Sequence, residues 1–214
     1  GLATAYYLAT RHGITNVAVL ERSYIGGGNS GRNTTVIRAN YGIPEAVRFY
    51  QRSVELYQHL EQETDRWIMH KAKGLLWLAH TEAAIRGERA RAEVNTAFGA
   101  KTTYVDPQQI KEICPQLDMT GAGVWPIVGG SYHAEGATAR HDRVVWAFAE
   151  GAMQRGVHVH QRIAVTGLLM EGDRVTGVQT DAGPIAAGIV LSAAGGHVTG
   201  LAAMAGLRLP IRTH

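Results

Sequence analysis

Small and apolar residues over 2–11 recur at helical spacing, with Leu2, Ala3, Tyr6, Tyr7 and Ala9 forming a narrow face suited to close packing. Gly13 follows where a helix-ending glycine belongs. Val17 to Leu20 is a short continuous apolar run, the pattern of a parallel strand covered on both faces, and it ends in Glu21. The pattern then breaks: Ser23 to Asn33 is polar and glycine-rich. Thr34-Thr35-Val36-Ile37-Arg38 is β-branched and reads either as a strand or as an extended loop pinned by a ligand.

Further along, Pro44 opens a long helix to about Gln62, with Val47, Tyr50, Val54 and Tyr57 on one face. Gly74 to His80 predicts a strand, and Thr81 caps a charged helix to about Phe98. Asp106-Pro107 starts a short helix, with Pro115 beyond its end. Gly121 to His133, carrying Trp125 and Tyr132, predicts a hairpin. Thr138 caps a helix to about Arg155, stopped by Gly156. Val157 to His160 alternates like a strand. Ile163 to Met170 and Arg174 to Thr180 form a hairpin around Glu171-Gly172-Asp173. Gly188 to Leu191 predicts a second buried parallel strand, followed by Ala193-Ala194-Gly195-Gly196 and a helix.

This order predicts an α/β fold. A Rossmann-like dinucleotide-binding domain, 1–70 and 136–214, is interrupted by part of an α+β domain, 71–135. Its first strand is missing. The chain opens at Gly1 without an initiator Met and closes at Thr213-His214 with no terminal signal, so it reads as an internal fragment of a longer protein.

With 26 glycines and 45% hydrophobic residues in 214, the chain can bury a core rich in tight turns. Its single cysteine, Cys114, excludes an internal disulfide framework. The net charge of +3 is small, and the basic stretch Arg86 to Arg91 is interleaved with Glu88 and followed by Glu93. That is a solvated helix face, which argues against nucleic-acid binding. The most apolar region, Ile189 to Leu209, is broken by Gly195-Gly196-His197 and Arg208, so no membrane span is expected.

Three features carry candidate chemistry. In a complete dinucleotide site, glycines let the turn approach a pyrophosphate, the helix N-terminus faces its charge, and an acid about twenty residues on meets the ribose. Gly1 and Glu21 have that spacing, and an acid there favours an unphosphorylated ribose; a generic βαβ unit ending in Glu is the alternative. Gly26-Gly27-Gly28-Asn29-Ser30-Gly31-Arg32-Asn33-Thr34-Thr35 either brings backbone N–H groups against a planar or anionic ligand or is a mobile surface loop. In the third feature, His141 shares a helix face with Val144, Val145, Phe148 and Ala152, so its imidazole points inward. Neutral imidazole is a nucleophile able to attack a flavin's activated methyl group; a core-edge histidine satisfied by a carbonyl is the commoner outcome. His158 and His160 share a strand face but have no third metal ligand nearby.

Gly1-Leu2-Ala3-Thr4-Ala5-Tyr6-Tyr7-Leu8, the run Gly13 to Glu21, Arg32-Asn33-Thr34-Thr35, Cys114-Pro115, and Ala139-Arg140-His141-Asp142 with Val145-Trp146-Ala147-Phe148-Ala149 together carry a resemblance. Over its whole length the chain resembles the beta subunits of heterotetrameric sarcosine oxidases, within the flavin-dependent amine oxidases of the D-amino-acid oxidase group.

The resemblance implies non-covalent FAD and an FMN attached covalently to His141. It implies oxidation of sarcosine by hydride transfer to FAD, with electrons passing to FMN and then to oxygen, giving hydrogen peroxide. An alpha subunit would process the imine with tetrahydrofolate, gamma and delta subunits would complete the assembly, and the location would be cytoplasmic. Position by position, it implies FAD contacts at Gly1, Glu21, Asn29, Arg32, Asn33, Thr34, Thr35 and Val36, and adenine contact through the Val165 backbone. Arg140 and His141 would belong to the FMN site. The catalytic, substrate-side residues are expected outside the fragment, which alone would bind no FAD. Asn29-Ser30-Gly31 departs from the family's expected asparagine–methionine–alanine. Two other readings stay open: a related amine or amino-acid dehydrogenase without covalent FMN, and a non-catalytic nucleotide-binding module.

Overall fold

The computed structural model describes residues 1–123 and 125–211; Val124, inside the predicted 121–133 hairpin, and Thr213-His214 lie outside them. In chain order the elements are α1 (Leu2–His12), β1 (Ala18–Glu21), β2 (Val36–Ile37), α2 (Pro44–Thr64), β3 (Lys71–Ala72), β4 (Leu75–Ala79), α3 (Glu82–Ala97), β5 (Thr102–Val105), α4 (Pro107–Ile113), β6 (Gly129–His133), β7 (Ala137–Thr138), α5 (His141–Met153), β8 (His158–Gln161), β9 (Val165–Glu171), β10 (Arg174–Thr180), β11 (Gly183–Ala186) and α6 (Val198–Met204). They form two compact units, 1–33 with 141–214, and 34–140. Residues 34–70 and 136–140, grouped by pattern with the nucleotide domain, pack in the second unit.

In the first unit, α1 ends as its sequence predicts, with Gly13 left-handed at φ 65°. Its small face, Ala5, Tyr6 and Ala9, packs with Ala152 and Val157. Tyr6, Tyr7 and Phe148 meet edge to face, with ring centroids 5.2–6.0 Å apart. β1 pairs in parallel with β8, from Ala18 opposite His158 to Glu21 opposite Gln161. β9, β10 and β11 form an antiparallel meander, turning at Gly172 as expected.

The predicted parallel strand at 188–191 does not form. Among the described residues, no strand lies beside it to pair its backbone, and Ile189 and Leu191 are 90% and 63% exposed. Thr138 is not a helix cap: it belongs to β7, opposite Val36 and Lys71, and α5 begins at His141.

The second unit holds two antiparallel sheets, β2-β7-β3 and β4-β6-β5. α2 buries Val47, Val54 and Leu60, and Val47 and Val54 join Ala39 and Ala100 in one core cluster. Two helix starts read from sequence hold in this unit, where the Thr138 cap does not. Thr81 accepts the Ala84 N–H at 3.1 Å, and Asp106 and Gln109 form a reciprocal capping box. Among the described residues, no hairpin spans 121–133. Residues 129–133 instead form the central strand between β4 and β5, and Trp125 is 70% exposed. β6 pairs with strands distant in sequence, which local turn signals do not reveal.

Candidate functional site

The start of α1 lies against the chain that follows the meander: a Cβ on Gly1 would stand 3.5 Å from that of Ala193. The sequence signal for this contact was the small-residue run Ala193 to Gly196, read only as a lead-in to a helix. Parallel pairing with β8 fixes the end of β1. There a carboxylate oxygen of Glu21 accepts the Ser23 N–H at 2.8 Å, and Gln161 Oε1 accepts the Ile25 N–H at 2.7 Å. Arg22 meets His197 across 2.9 Å, tying the residue after Glu21 to the turn at Gly195–His197. Val165 opens β9 in the same unit.

The glycine-rich loop is ordered by its own hydrogen bonds. Gly27 N–H donates to Tyr24 O, and Gly31 N–H to Gly28 O. Asn33 Nδ2 donates to Ser30 O at 2.9 Å. Asn29, Ser30 and Gly31 form one 3-10 turn, and a Cβ on Gly31 would fall on the carbonyl oxygen of Gly26. The glycine that departs from the family pattern is thus the residue this tight turn requires. Arg32 and Asn29 stay at its solvent-facing rim.

His141 opens α5 half-buried, and its Nδ1 is buried without a hydrogen-bond partner. It lines a cavity of about 280 Å³ with Tyr24, Ile25, Gly26, Gly31, Trp146 and Gln161. The core-edge alternative required a carbonyl partner, which Nδ1 lacks. A histidine with a buried, unpartnered ring nitrogen on the wall of a cavity that also carries Tyr24 and Trp146 has the chemistry of an attachment or contact point for a planar ligand.

Thr34, Thr35 and Val36 open the second unit and Arg140 closes it. Thr35 is left-handed at φ 62°, which for a β-branched residue stores about 1–3 kcal/mol of strain. Its carbonyl accepts the Ala139 N–H at 3.1 Å. Val36 pairs with Thr138 and is exposed, and Arg140 N–H donates to Ile68 O at 2.9 Å.

Sequence reasoning missed Arg38. It is half-buried, with its guanidinium carbon 4.3 Å from the Tyr41 ring centroid and 5.4 Å from that of Trp77. It donates to Asn40 Oδ1 at 3.0 Å, and among the described residues no carboxylate pairs with it. Asn40 Nδ2 beside it is buried and unpartnered. Tyr41 stacks on Tyr50 with centroids 4.2 Å apart. The available signal was a polar–aromatic run, 38–41, between a strand and a helix-starting proline.

His158 and His160 are mutually stacked on the outer side of β8, and no group of three potential ligands among the described residues is placed to hold a metal. Among the described residues, no helix is long and apolar enough to cross a membrane.

A family model described as FAD dependent oxidoreductase matches residues 1–214, and the chain belongs to that family. It is 44% identical over 214 residues to the sarcosine oxidase subunit beta of an Arthrobacter species, covering all of this chain and 53% of that protein. It is likewise 44% identical to the sarcosine oxidase subunit beta of Rhizobium meliloti, covering 51% of it. The chain spans about half the length of these curated relatives. Among solved structures, L-proline dehydrogenase from P. horikoshii is 29% identical and superposes with a TM-score of 0.87, over 98% of this chain and 54% of that one. The resemblance read from the motifs and the FAD-binding α/β fold are both borne out.

Proposed function

We propose that the protein this chain belongs to is a flavin-dependent amine oxidase subunit acting on sarcosine, with FAD bound non-covalently and FMN attached at His141. The observation that carries the reading is that His141, whose Nδ1 is buried and partnerless, lines a cavity with Tyr24 and Trp146. Membership of the FAD dependent oxidoreductase family and identity to sarcosine oxidase beta subunits support it.

When bound, FAD would supply the hydride acceptor for oxidation at the amine carbon, and FMN the redox centre from which electrons reach oxygen to give hydrogen peroxide. Gly1 and Glu21 hold the ADP portion, Gly1 by leaving room at the helix start and Glu21 by accepting ribose hydroxyls. Asn29, Arg32, Asn33, Thr34, Thr35 and Val36 line the flavin side, and the Val165 backbone meets adenine. Arg140 and His141 hold FMN. Arg38 supplies what a small amino-acid substrate needs: a half-buried guanidinium without a protein carboxylate, open to pairing with the substrate's own. The protein would assemble in the cytoplasm with alpha, gamma and delta subunits, the alpha subunit processing the imine with tetrahydrofolate.

The test is peroxide release when sarcosine is added to the full-length assembled protein. Complete inertness with full flavin loading would favour a non-catalytic nucleotide-binding module. The likeness to L-proline dehydrogenase favours a second reading, a dehydrogenase of secondary amino acids with FAD alone. That reading expects turnover with an artificial acceptor and no covalently held flavin.

A further inference from the structure

A closed circuit of hydrogen bonds inside the second unit begins and ends on the segment carrying Arg38 and Tyr41. Ala39 N–H donates to His133 Nε2 at 3.2 Å. That nitrogen therefore carries no proton, and the ring's proton sits on Nδ1. Nδ1 faces Thr102 Oγ1 at 3.1 Å and Lys101 O at 3.3 Å. Thr102 Oγ1 in turn donates to Asn95 Oδ1 at 3.1 Å. Asn95 Nδ2 returns to the segment, donating to Tyr41 O at 2.7 Å and to Arg91 O at 2.8 Å. His133 and Asn95 are wholly buried, Thr102 is 1% exposed, and Ala39 and Asn40 are also sealed from solvent.

A polar circuit in such a core costs desolvation at every member unless all are satisfied. An apolar core would hold α3 and β6 together as well. What these side chains add is a fixed path for three residues with no regular structure of their own. Tyr41 N–H bends back to Ala39 O at 2.8 Å, so the segment is a tight turn gripped at both ends. The turn sets where the Arg38 guanidinium and the Tyr41 ring stand.

We propose that His133 and Asn95 are positioning residues that clamp the Ala39–Tyr41 turn and thereby hold Arg38 in place for a substrate carboxylate. The carboxylate role rests on the function proposed above; the clamp itself does not.

The test uses the full-length holoprotein with His133→Leu, His133→Gln and Asn95→Asp. Glutamine places an acceptor oxygen near the Nε2 position, so it should rescue what leucine loses. Three quantities are read: kcat and KM for sarcosine, the Kd of methoxyacetate as a non-oxidisable carboxylate, and hydrogen exchange at amides 39–41. In His133→Leu, KM and Kd should rise about tenfold with kcat and flavin content little changed, and amides 39–41 should exchange faster. His133→Gln should restore all three. Asn95→Asp keeps the acceptor for Thr102 but loses the donor to Tyr41 O; it should move the same quantities in the same direction, and it carries the test if His133→Leu does not fold. Unchanged exchange at 39–41 in folded variants, or a glutamine variant as impaired as leucine, overturns the clamp. If Arg38→Gln binds methoxyacetate as tightly as wild type, the substrate role of Arg38 fails, and the exchange data still decide the clamp.

Discussion

Tyr6 occupies the space that a side chain at Gly151 would need: a Cβ there would stand 2.7 Å from Cε2 of the tyrosine ring. The ring is 2% exposed and wedged among Tyr7 and Phe148, so it has nowhere to move. This contact sets how closely α5 approaches α1.

Gly151→Ala therefore opposes two effects. Alanine in a helix interior gains about 1 kcal/mol over glycine. Overpacking a rigid aromatic costs about 1–3 kcal/mol. The second should prevail, lowering the urea midpoint of the full-length protein. A raised midpoint would mean the two helices separate more freely than their packing implies.

At Gly31 the obstacle is backbone, not side chain, since an added Cβ falls on Gly26 O. Gly31→Ala must therefore open the 26–31 turn, and the loop cannot keep both its internal hydrogen bonds and its path. Flavin content per polypeptide, read from absorbance after purification, should fall severalfold while global stability changes little. The loop is glycine-rich and partly exposed, and it contributes little to the core. Full flavin loading in Gly31→Ala would remove this loop from the cofactor site.

Most local signals marked real boundaries, the Thr138 cap being the exception because that residue pairs in a strand with Val36 and Lys71. Gly13, Thr81, Asp106-Pro107 and Gly172 each mark a boundary that backbone geometry bears out, because caps and turns depend on a few adjacent residues. Patterns that need a distant partner were less legible. Residues 188–191 have a strand's composition, yet no neighbour among the described residues pairs them; 129–133 look like half a hairpin but insert between two strands distant in sequence. The same divide runs through the candidate site. Gly1, Glu21 and His141 could be picked out by spacing. Arg38 could not, because its environment is assembled from Tyr41, Trp77 and the circuit through His133 and Asn95, none of which a linear pattern joins.

His141→Ala separates the two flavins. Removing the imidazole leaves Gly1, Glu21 and the 26–36 loop intact, so non-covalent FAD should remain near wild-type content. Acid precipitation should give a yellow pellet from wild type and a colourless one from the variant. A colourless wild-type pellet would refute the covalent link at His141.

His133 gives stability a pH dependence whose sign follows from its burial. Desolvation holds its imidazole below the ordinary 6.5, outweighing the pull of Lys101 O and Glu135 toward protonation, while Arg38 adds to the lowering. Protonation would also place a hydrogen on Nε2, facing the Ala39 N–H that donates to it. Below about pH 6.5 the unfolded chain thus takes up a proton that the folded chain resists. The stabilisation is complete above that pH, is lost as pH falls through it, and levels off only beneath the folded-state value. His133→Gln has no such group and keeps an acceptor for Ala39. The urea midpoint of wild type should therefore fall more steeply than that of His133→Gln between pH 7 and 5. His70, also lowered by burial, is present in both proteins and cancels in the comparison. Parallel profiles for the two would show that His133 is not buried in the neutral form its hydrogen bonds require.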